Sequence, residues 1–498
     1  MRITSADPRY AAVVDKQFNK RFKARPDYVR LVGSAQEVAS AVEEALSERR
    51  RLVVTTGGHC LEGFVSDPTV RVIIDVSPMK SIGYDDEMRA ISVEAGATVG
   101  ETFRTLFDMW GVMIPLGEYP AIGMGGHVVG GAFGFFCRQL GLAADYLHAV
   151  EVVTVDEDGR ARVVVATREI SDPNRELWWA HTGGGGGNFG VVTRYWFRAP
   201  DGSEDDDPAR LLPRAPESVA TFKTVWSWSD FDETRFVGLA RNYGTWCERH
   251  ADADSENASL WTLLELHRKQ FGQIVVRGVS TEGTGAEWQI DEFLASVTEG
   301  VGLRTTREVA HMSWLEFALD PFPDLFAMPP GGVSSKVKDA LLKKRLTDRQ
   351  LAVAYRHLTS TDYDIMGGMI GFASYGGRIN SVASDATASA QRSAIIDMAC
   401  NTGWIDPREE AQNLAWVRSF YRELFSETGG VPLLGEAYDG ILINHPDVDV
   451  TDPTLNTSGV PWPTLYYHGN YARLQKVKAR WDPSDVFNHA LSIRTTSG

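Results

Sequence analysis

The sequence VVTTGGHC, residues 53–60, decides the fold of this chain. Val53 and Val54 close a short apolar run that is typical of a buried strand, and Gly57 and Gly58 permit a tight turn with outward-facing backbone N–H groups. Such a turn could carry a diphosphate, with the imidazole of His59 held against whatever the diphosphate bears. Because Gly-Gly-His turns also occur in ordinary loops, this interpretation depends on the glycine-rich stretches farther along the chain.

Two such stretches follow, GEYPAIGMGGHVVGGAFG at 117–134 and GGGGGNFGVVT at 183–193. Flexible linkers are rich in Gly and Ser, whereas apolar residues such as Val128 and Val129 lie between these glycines. The pattern therefore indicates backbone that packs closely against a flat or anionic ligand. His127, within the first stretch, could equally be a histidine that faces the core.

Composition excludes several classes of protein. The 498 residues carry a formal net charge of −16, which argues against nucleic acid or an anionic membrane surface as the main partner. The four cysteines show no CxxC spacing, so neither a disulfide framework nor a metal site is expected. No stretch is long and apolar enough for a transmembrane helix, and the N-terminus lacks the apolar region of a secretory signal. We therefore expect a cytoplasmic protein.

Local patterns predict β/α alternation at the start of the chain and a composition change at 199–214. Capping boxes begin helices at Ser34 and Thr98, a further helix is possible over Tyr10–Phe22, and Ile365–Ile379 is typical of a strand pair that lines a cavity. We predict an N-terminal domain over residues 1–205, an inserted domain over 206–436 and a returning segment over 437–498.

Six motifs in this order resemble the berberine-bridge-enzyme-like oxidases of the vanillyl-alcohol-oxidase-type FAD family. They are GGHC at 57–60, GMGGHVVGGAFG at 123–134, RQLGLAADYL at 138–147, GGGGGNFGVVT at 183–193, NHPDVD at 444–449 and GNYARLQKVKARWDP at 469–483. The resemblance implies an α+β fold of two domains. The FAD domain is built from both ends of the chain, and the inserted substrate domain is an antiparallel sheet backed by helices.

The resemblance also implies roles for individual residues. His59 matches the histidine that bonds covalently to the flavin 8α position, and a neutral imidazole nitrogen is a competent nucleophile for that bond. The other residues implied to bind FAD are Thr55, Thr56, Gly57, Gly58, Cys60, Tyr119, Ile122, Gly123, Gly126, His127, Gly130, Gly131, Phe133, Asp145, Gly190, Val192, Asn470 and Tyr471.

Departures from the family pattern matter as much. Tyr119 stands where many relatives carry a second flavin-linked cysteine, so we expect a single attachment; Cys137 does not align with that position, and a buried packing cysteine is the favoured interpretation. His445 stands where relatives commonly carry a tyrosine base, and Phe133 replaces an aromatic hydroxyl. Tyr375 matches a tyrosine that faces the flavin, so His445 and Tyr375 are the candidate catalytic residues.

The resemblance implies an FAD-dependent oxidase that acts on alcohols of small natural products from antibiotic pathways. Hydride would pass from the alcohol carbon to flavin N5, and molecular oxygen would become hydrogen peroxide. Two alternatives remain open: oxidative cyclisation or desaturation on the same scaffold, and a flavin-containing binding protein without turnover. A nicotinamide-dependent dehydrogenase is not expected, because no matching signature follows a strand.

Overall fold

The computed structural model describes residues 1–200, 207–325, 329, 331–365 and 367–495, which form three sheets covered by helices. The strands are β1 (Arg2–Thr4), β2 (Tyr28–Leu31), β3 (Leu52–Thr55), β4 (Val72–Asp75), β5 (Ile82–Asp85), β6 (Ala90–Glu94), β7 (Leu147–Val155), β8 (Ala161–Thr167), β9 (Val191–Phe197), β10 (Ser218–Ser227), β11 (Leu260–His267), β12 (Gln273–Ser280), β13 (Glu308–Ser313), β14 (Ser334–Leu342), β15 (Met369–Ser374) and β16 (Ile396–Trp404).

Helices cover the sheets and connect their strands. They are α1 (Tyr10–Val14), α2 (Ala35–Ser47), α3 (Val99–Trp110), α4 (Met124–His127), α5 (Cys137–Leu140), α6 (Arg175–Ala180), α7 (Glu233–Arg249), α8 (Ala286–Thr298), α9 (Trp314–Leu319), α10 (Asp348–Thr359), α11 (Glu410–Leu424), α12 (Trp462–Tyr467) and α13 (Tyr471–Trp481). No helix in the described part of the chain is long and apolar enough to cross a membrane.

The first sheet positions the GGHC turn. Its strand order is β1-β2-β4-β3, with β2, β4 and β3 parallel and β4 buried along its whole length. The edge strand β3 ends at Thr55, and the chain then turns through Gly58, whose φ of 77° is readily adopted by glycine. The turn therefore leaves the sheet at a fixed point beside the core.

The second sheet is antiparallel, with the order β5-β6-β9-β7-β8. Helix α3 leads from it towards the glycine-rich stretch, and its first turn is fixed by a capping box between Thr98 and Glu101. Residues of the C-terminal segment, among them Leu474 and Ile493, pack into the same core as the first two sheets. Both ends of the chain thus build one domain.

The third sheet is antiparallel, with the order β13-β10-β12-β11-β15-β16-β14, and its two faces differ. On β16, the residues Ile396, Met398 and Cys400 pack into a second core with helices α7, α8, α10 and α11. The alternate residues Asp397 and Asn401 face a cavity on the other side. This sheet backed by helices confirms the predicted α+β architecture.

Two local expectations were wrong. The helix expected over Tyr10–Phe22 stops at Val14, and Ile365–Ile379 contains one strand, β15, which pairs with the distant strands β11 and β16. Met366 within the latter range lies outside the described residues.

Candidate active site

A cavity of about 660 Å³ lies between the loops of the first two sheets and the inner face of the third. It brings together fifteen of the predicted site residues: Thr55, Thr56, Gly58, His59, Cys60, Tyr119, Ile122, Gly123, Gly126, His127, Gly130, Phe133, Gly190, Val192 and His445. The substrate-domain wall is largely apolar, with Trp261, Leu263 and Met369 among its members.

Glycines allow the backbone segments of the cradle to approach one another. A Cβ atom at Gly57 would lie 2.4 Å from the backbone nitrogen of Gly123, and one at Gly130 would lie 2.4 Å from the Nδ2 atom of Asn444. Asn444 in turn donates from Nδ2 to the carbonyl of His127 at 3.1 Å. The two glycine-rich segments and the C-terminal segment therefore form one continuous wall that larger residues would disrupt.

His59 projects from the turn into the cavity between two aromatic rings. Its ring stacks on Phe18 with a centroid separation of 4.8 Å and lies 5.0 Å from the ring of Tyr119. Burial lowers the pKa of His59 to about 4, because the charged imidazolium loses hydration there. His59 is therefore neutral near pH 7, the state a nucleophilic imidazole requires.

His127 has both a structural role and a place in the cavity wall. Its Nε2 atom accepts a 2.7 Å hydrogen bond from the backbone N–H of Gly117. Burial lowers its pKa to about 3, to which the neighbouring His445 and His59 also contribute, so the ring stays neutral. His127 thus links the first residue of the glycine-rich stretch 117–134, Gly117, to the middle of that stretch.

The five-glycine run is fixed by the side chain of Asn188, which follows it, and by polar side chains from the C-terminal segment. Asn188 donates from Nδ2 to the carbonyl of Gly184 at 3.0 Å, and His489 contacts the carbonyl of Gly186 at 3.0 Å. Lys478 donates to the carbonyl of Asn188 at 2.9 Å and pairs with Asp482. The backbone of 185–188 is consequently held against the cavity.

Acidic groups surround His445 at the substrate end of the cavity. The Nδ1 atom of His445 lies 3.4 Å from Oδ1 of buried Asp339, whose other oxygen accepts from the backbone N–H of Leu442 at 2.8 Å. Asp397 adjoins this pair, and Glu118 lies on the same cavity. Burial raises the pKa of Glu118 to about 7, and burial with the adjacent Asp339 raises the pKa of Asp397 well above its ordinary range.

Comparison with known proteins identifies the cavity. An FAD binding domain matches residues 26–164, and a berberine and berberine-like domain matches 442–494. The chain is 48% identical to aclacinomycin-N/aclacinomycin-A oxidase of Streptomyces galilaeus over 99% of this chain and 90% of that protein. The chain belongs to the berberine-bridge-enzyme-like family of FAD-linked oxidases. It is also 30% identical to hexose oxidase of Chondrus crispus, over 99% of this chain and 94% of that one.

Solved structures agree with this membership in the berberine-bridge-enzyme-like family. The fold matches that of aclacinomycin oxidoreductase with a TM-score of 0.96 and 47% identity, covering 99% of both chains. It matches a glycopeptide hexose oxidase complexed with teicoplanin with a TM-score of 0.94 and 44% identity, over 99% of this chain and 98% of that one. The protein is an FAD-dependent oxidoreductase, and the glycine cradle fits a dinucleotide because it offers backbone without side chains.

Six of the residues that the family resemblance predicts do not line the cavity: Gly57, Gly131, Asp145, Tyr375, Asn470 and Tyr471. Asp145 pairs with Arg392 at 2.7 Å, and the Asn470 amide donates to the carbonyl of Ser384 at 2.8 Å. Tyr375 is fully buried, with its ring 4.8 Å from that of Phe133, and it does not line the cavity, so its orientation towards the flavin stays a prediction.

Two of the three remaining residues outside the lining, Tyr471 and Gly57, contact neighbours that line the cavity. Tyr471 stacks on Tyr467, Gly131 packs against Ser389, and Gly57 supports Gly123 from behind. Cys137 is likewise buried outside the lining, where it accepts from the backbone N–H of Gly134 at 3.2 Å. It packs with Phe133 and Tyr375 as a core residue.

Sequence reasoning missed several lining residues of this family member, chiefly Phe18, Glu118, Asp397, Asn401, Asn444 and His489. Glu118 directly precedes Tyr119, and Asn444 directly precedes His445. Since Tyr119 and His445 were predicted site residues, their sequence neighbours could have been predicted as well. Asp397 and Asn401 could have been found from alternation with buried Met398 and Cys400 along β16. Phe18 carries no local signal, because only the tertiary fold brings it to His59.

Proposed function

We propose that the protein is an FAD-dependent oxidase of alcohols on small natural products, with His445 as the base and oxygen as the final acceptor. The supporting observation is that His59 and His445 border one cavity, His59 in the glycine cradle and His445 beside the substrate-domain wall. FAD supplies the hydride acceptor when bound. The protein supplies His59 as the anchor for FAD, His445 as the base, and a cavity that shields the reaction from water.

His445 suits the task of taking the proton from an alcohol hydroxyl. Asp339 orients the ring through Nδ1, which leaves Nε2 as the atom that can accept a proton. A carboxylate that orients an imidazole also stabilises its charged form after the transfer. The family position of His445 is commonly a tyrosine, and a histidine is available as a base at lower pH.

The cofactor is proposed to be attached once, through His59. The neutral state of its imidazole supports the nucleophilic role, and Tyr119 leaves no thiol at the second family position. The proposed substrate class rests on the apolar inner face of the third sheet and on similarity to an aclacinomycin oxidase and a glycopeptide hexose oxidase.

Acid precipitation followed by peptide mapping tests the attachment. We expect flavin to stay with the precipitated protein, in a tryptic peptide that contains His59 and no second linkage. In the His59→Ala variant the flavin should be released by acid, because the only covalent anchor is gone. Complete release from the wild type, or a peptide that joins His59 to Cys137, would contradict the proposal.

Peroxide production tests the reaction. Pathway alcohols and their oxidised products should be compared, and the substrate should yield one peroxide per two-electron oxidation. Oxidation that closes a ring or forms a C=C bond would instead favour the cyclisation or desaturation alternative. Tight binding of an alcohol with neither flavin reduction nor peroxide would identify a binding protein.

A further inference from the structure

We propose that the cavity recognises a protonated amine of its substrate through Glu118 and Asp397, so that the oxidised alcohol belongs to an amino sugar or another amino alcohol. This inference rests on the proposed function, because it names the substrate class of the same site. It goes beyond alcohol oxidation because it states that the substrate carries a positive charge and that two particular carboxyl groups bind it.

The charge balance around His445 supports the inference. Three carboxyl groups, those of Glu118, Asp339 and Asp397, surround a single imidazole. Neither a lysine nor an arginine belongs to the cavity lining in the part of the chain that the structure describes. At least two of the three carboxyl groups therefore lack a cationic partner from the protein.

Asp397 is the better defined of the two proposed partners. It is 6% exposed, and it lies on the cavity face of β16. Its Oδ1 atom has no hydrogen-bond partner within the described structure, which is costly for a buried acceptor. A ligand N–H group that entered the cavity would satisfy that oxygen, and a charged donor would form the stronger bond.

Glu118 approaches the same region from the FAD domain. It lines the same cavity as His445 and Asp397, and its charge contributes to the raised pKa of His445. No hydrogen bond to its side chain is present among the described residues, and burial favours its protonated form. A substrate ammonium would stabilise the carboxylate and so supply the positive charge that the protein itself omits.

The position beside His445 limits where the amine lies on the substrate. The alcohol whose proton His445 takes must lie within hydrogen-bond reach of that ring. An amine that meets Glu118 and Asp397 is then on the same small unit as the reacting alcohol. A neutral amide at that place would leave the carboxyl groups without a cation.

Equilibrium binding to the flavin-loaded protein tests the inference without turnover. Each probe amine is paired with its N-acetyl derivative: D-glucosamine with N-acetyl-D-glucosamine, and daunorubicin with N-acetyldaunorubicin. Binding is followed by the change in flavin absorbance and by tryptophan fluorescence. At least one amine should bind at least about tenfold more tightly than its acetylated partner, as expected for one charge-assisted hydrogen bond.

Variants assign that preference to residues. Glu118→Gln and Asp397→Asn keep the side-chain shapes and should each reduce the ratio to within about threefold. Glu436→Gln is the matched control, because it makes the same carboxyl-to-amide change at an exposed residue outside the cavity lining and should keep the ratio. A flavin spectrum identical to the wild type shows in each case that the cavity is intact.

Three results would overturn the inference: equal binding within both probe pairs, a preference that survives both carboxyl substitutions, or no binding of either amine. These outcomes are separate from those of the proposed oxidase activity. Peroxide formed from neutral alcohols alone would reject amine recognition and keep the oxidase. Amine preference without peroxide from any alcohol would keep the binding site and reject the oxidase.

Discussion

At the scale of single residues, the protonation of His445 links the geometry to a measurable rate. Burial alone would lower its pKa, but the hydrogen bond to Asp339 and the charges of Asp339 and Glu118 outweigh burial and raise the pKa. Only the neutral ring can accept a proton. A raised pKa therefore moves the active form to higher pH, above the ordinary histidine value of about 6.5.

Flavin reduction by a substrate should thus rise with pH through the raised pKa of His445 and then level off. The His445→Phe variant should lose this limb and be slower by at least about 10²-fold, because a positioned base contributes that much. Stopped-flow absorbance across pH 5–10 (roughly the range that spans histidine titration) makes the measurement.

Tyr375→Phe is the matched control, because that ring lies outside the cavity and its hydroxyl makes only a 3.5 Å contact with the carbonyl of Gln391. It should keep both the rate and the pH limb. A His445→Phe variant that reduces flavin at nearly the wild-type rate, beside a crippled Tyr375→Phe, would assign the role to Tyr375 instead.

Tyr119 offers a second prediction at this scale. Its ring lies 5.0 Å from that of His59, at the family position of the second flavin-linked cysteine. The Tyr119→Cys variant should therefore gain a second acid-stable linkage, seen by mass spectrometry as one flavin joined to two peptides. If only the His59 peptide carries flavin, Tyr119 does not lie beside the flavin ring.

Residue identities could be predicted where a motif fixes the backbone, and less well elsewhere. His59 and His127 follow glycine pairs whose close approach to neighbouring segments fixes the backbone that carries them. Asp145 and Tyr375 matched family positions, but their directions depend on distant partners: Arg392 pairs with Asp145, and the ring of Phe133 lies 4.8 Å from that of Tyr375. The spacing of residues in the sequence predicts neither of these contacts.

At the scale of elements, a buried network of charges joins three parts of the chain. Glu62, just after the GGHC turn, pairs with Lys336 on β14, and Lys336 also pairs with Asp447 at 2.7 Å. Lys338 on the same strand lies 3.1 Å from Asp449. The turn that carries His59 and the segment that carries His445 are thereby held to one strand.

The Lys336→Met variant should destabilise the fold by about 3–5 kcal/mol, because it leaves the buried carboxylate of Glu62 without its cation and removes one of the two lysines that pair with Asp447. Thermal or urea unfolding of the flavin-loaded protein measures the change. The exposed pair of Lys344 and Glu436 provides the control, since Lys344→Met should cost less than about 1 kcal/mol. Equal effects of the two substitutions would show that the buried network contributes no special stability.

Helices that begin with a capping motif could be predicted from the sequence. The ends of other elements depend on tertiary contacts, which the sequence does not show. The capping box at Thr98 predicted α3, and the structure contains both of its hydrogen bonds. The helix predicted from Tyr10 stops at Val14 because the chain beyond it makes hydrogen bonds to the turn that carries His59. Lys16 donates to the carbonyl of Thr56 at 2.8 Å, and the backbone N–H of Phe18 donates to the carbonyl of Gly58 at 2.8 Å.

At the scale of the whole molecule, the cavity lies between two separate hydrophobic cores. One core contains both ends of the chain, and the other lies between the third sheet and its helices. The motifs near both ends of the sequence predict one FAD domain built from both ends, and residues of both ends pack into one core. The proposed amine recognition could not be predicted from sequence, since it combines Glu118 from the first part of the chain with Asp397 on β16.

We expect FAD to contact both domains, because residues of both line the cavity, and the His59→Ala variant makes the contribution of bound FAD measurable. With the covalent anchor removed, FAD should exchange and stabilise the fold by about 2.7 kcal/mol when present at 100 times its Kd. An unfolding entropy of about 2.1 cal/mol/K per residue converts this to a rise in Tm of about 3 °C if the chain unfolds as one unit.

Calorimetry of the His59→Ala variant with and without added FAD measures this shift, and the wild type with attached flavin should show none. Because residues of both domains line the cavity, FAD should move the unfolding of both domains together. A substrate-domain transition that stays in place while the other rises would mean that FAD contacts only the FAD domain. The second domain would then provide a substrate wall without holding the cofactor.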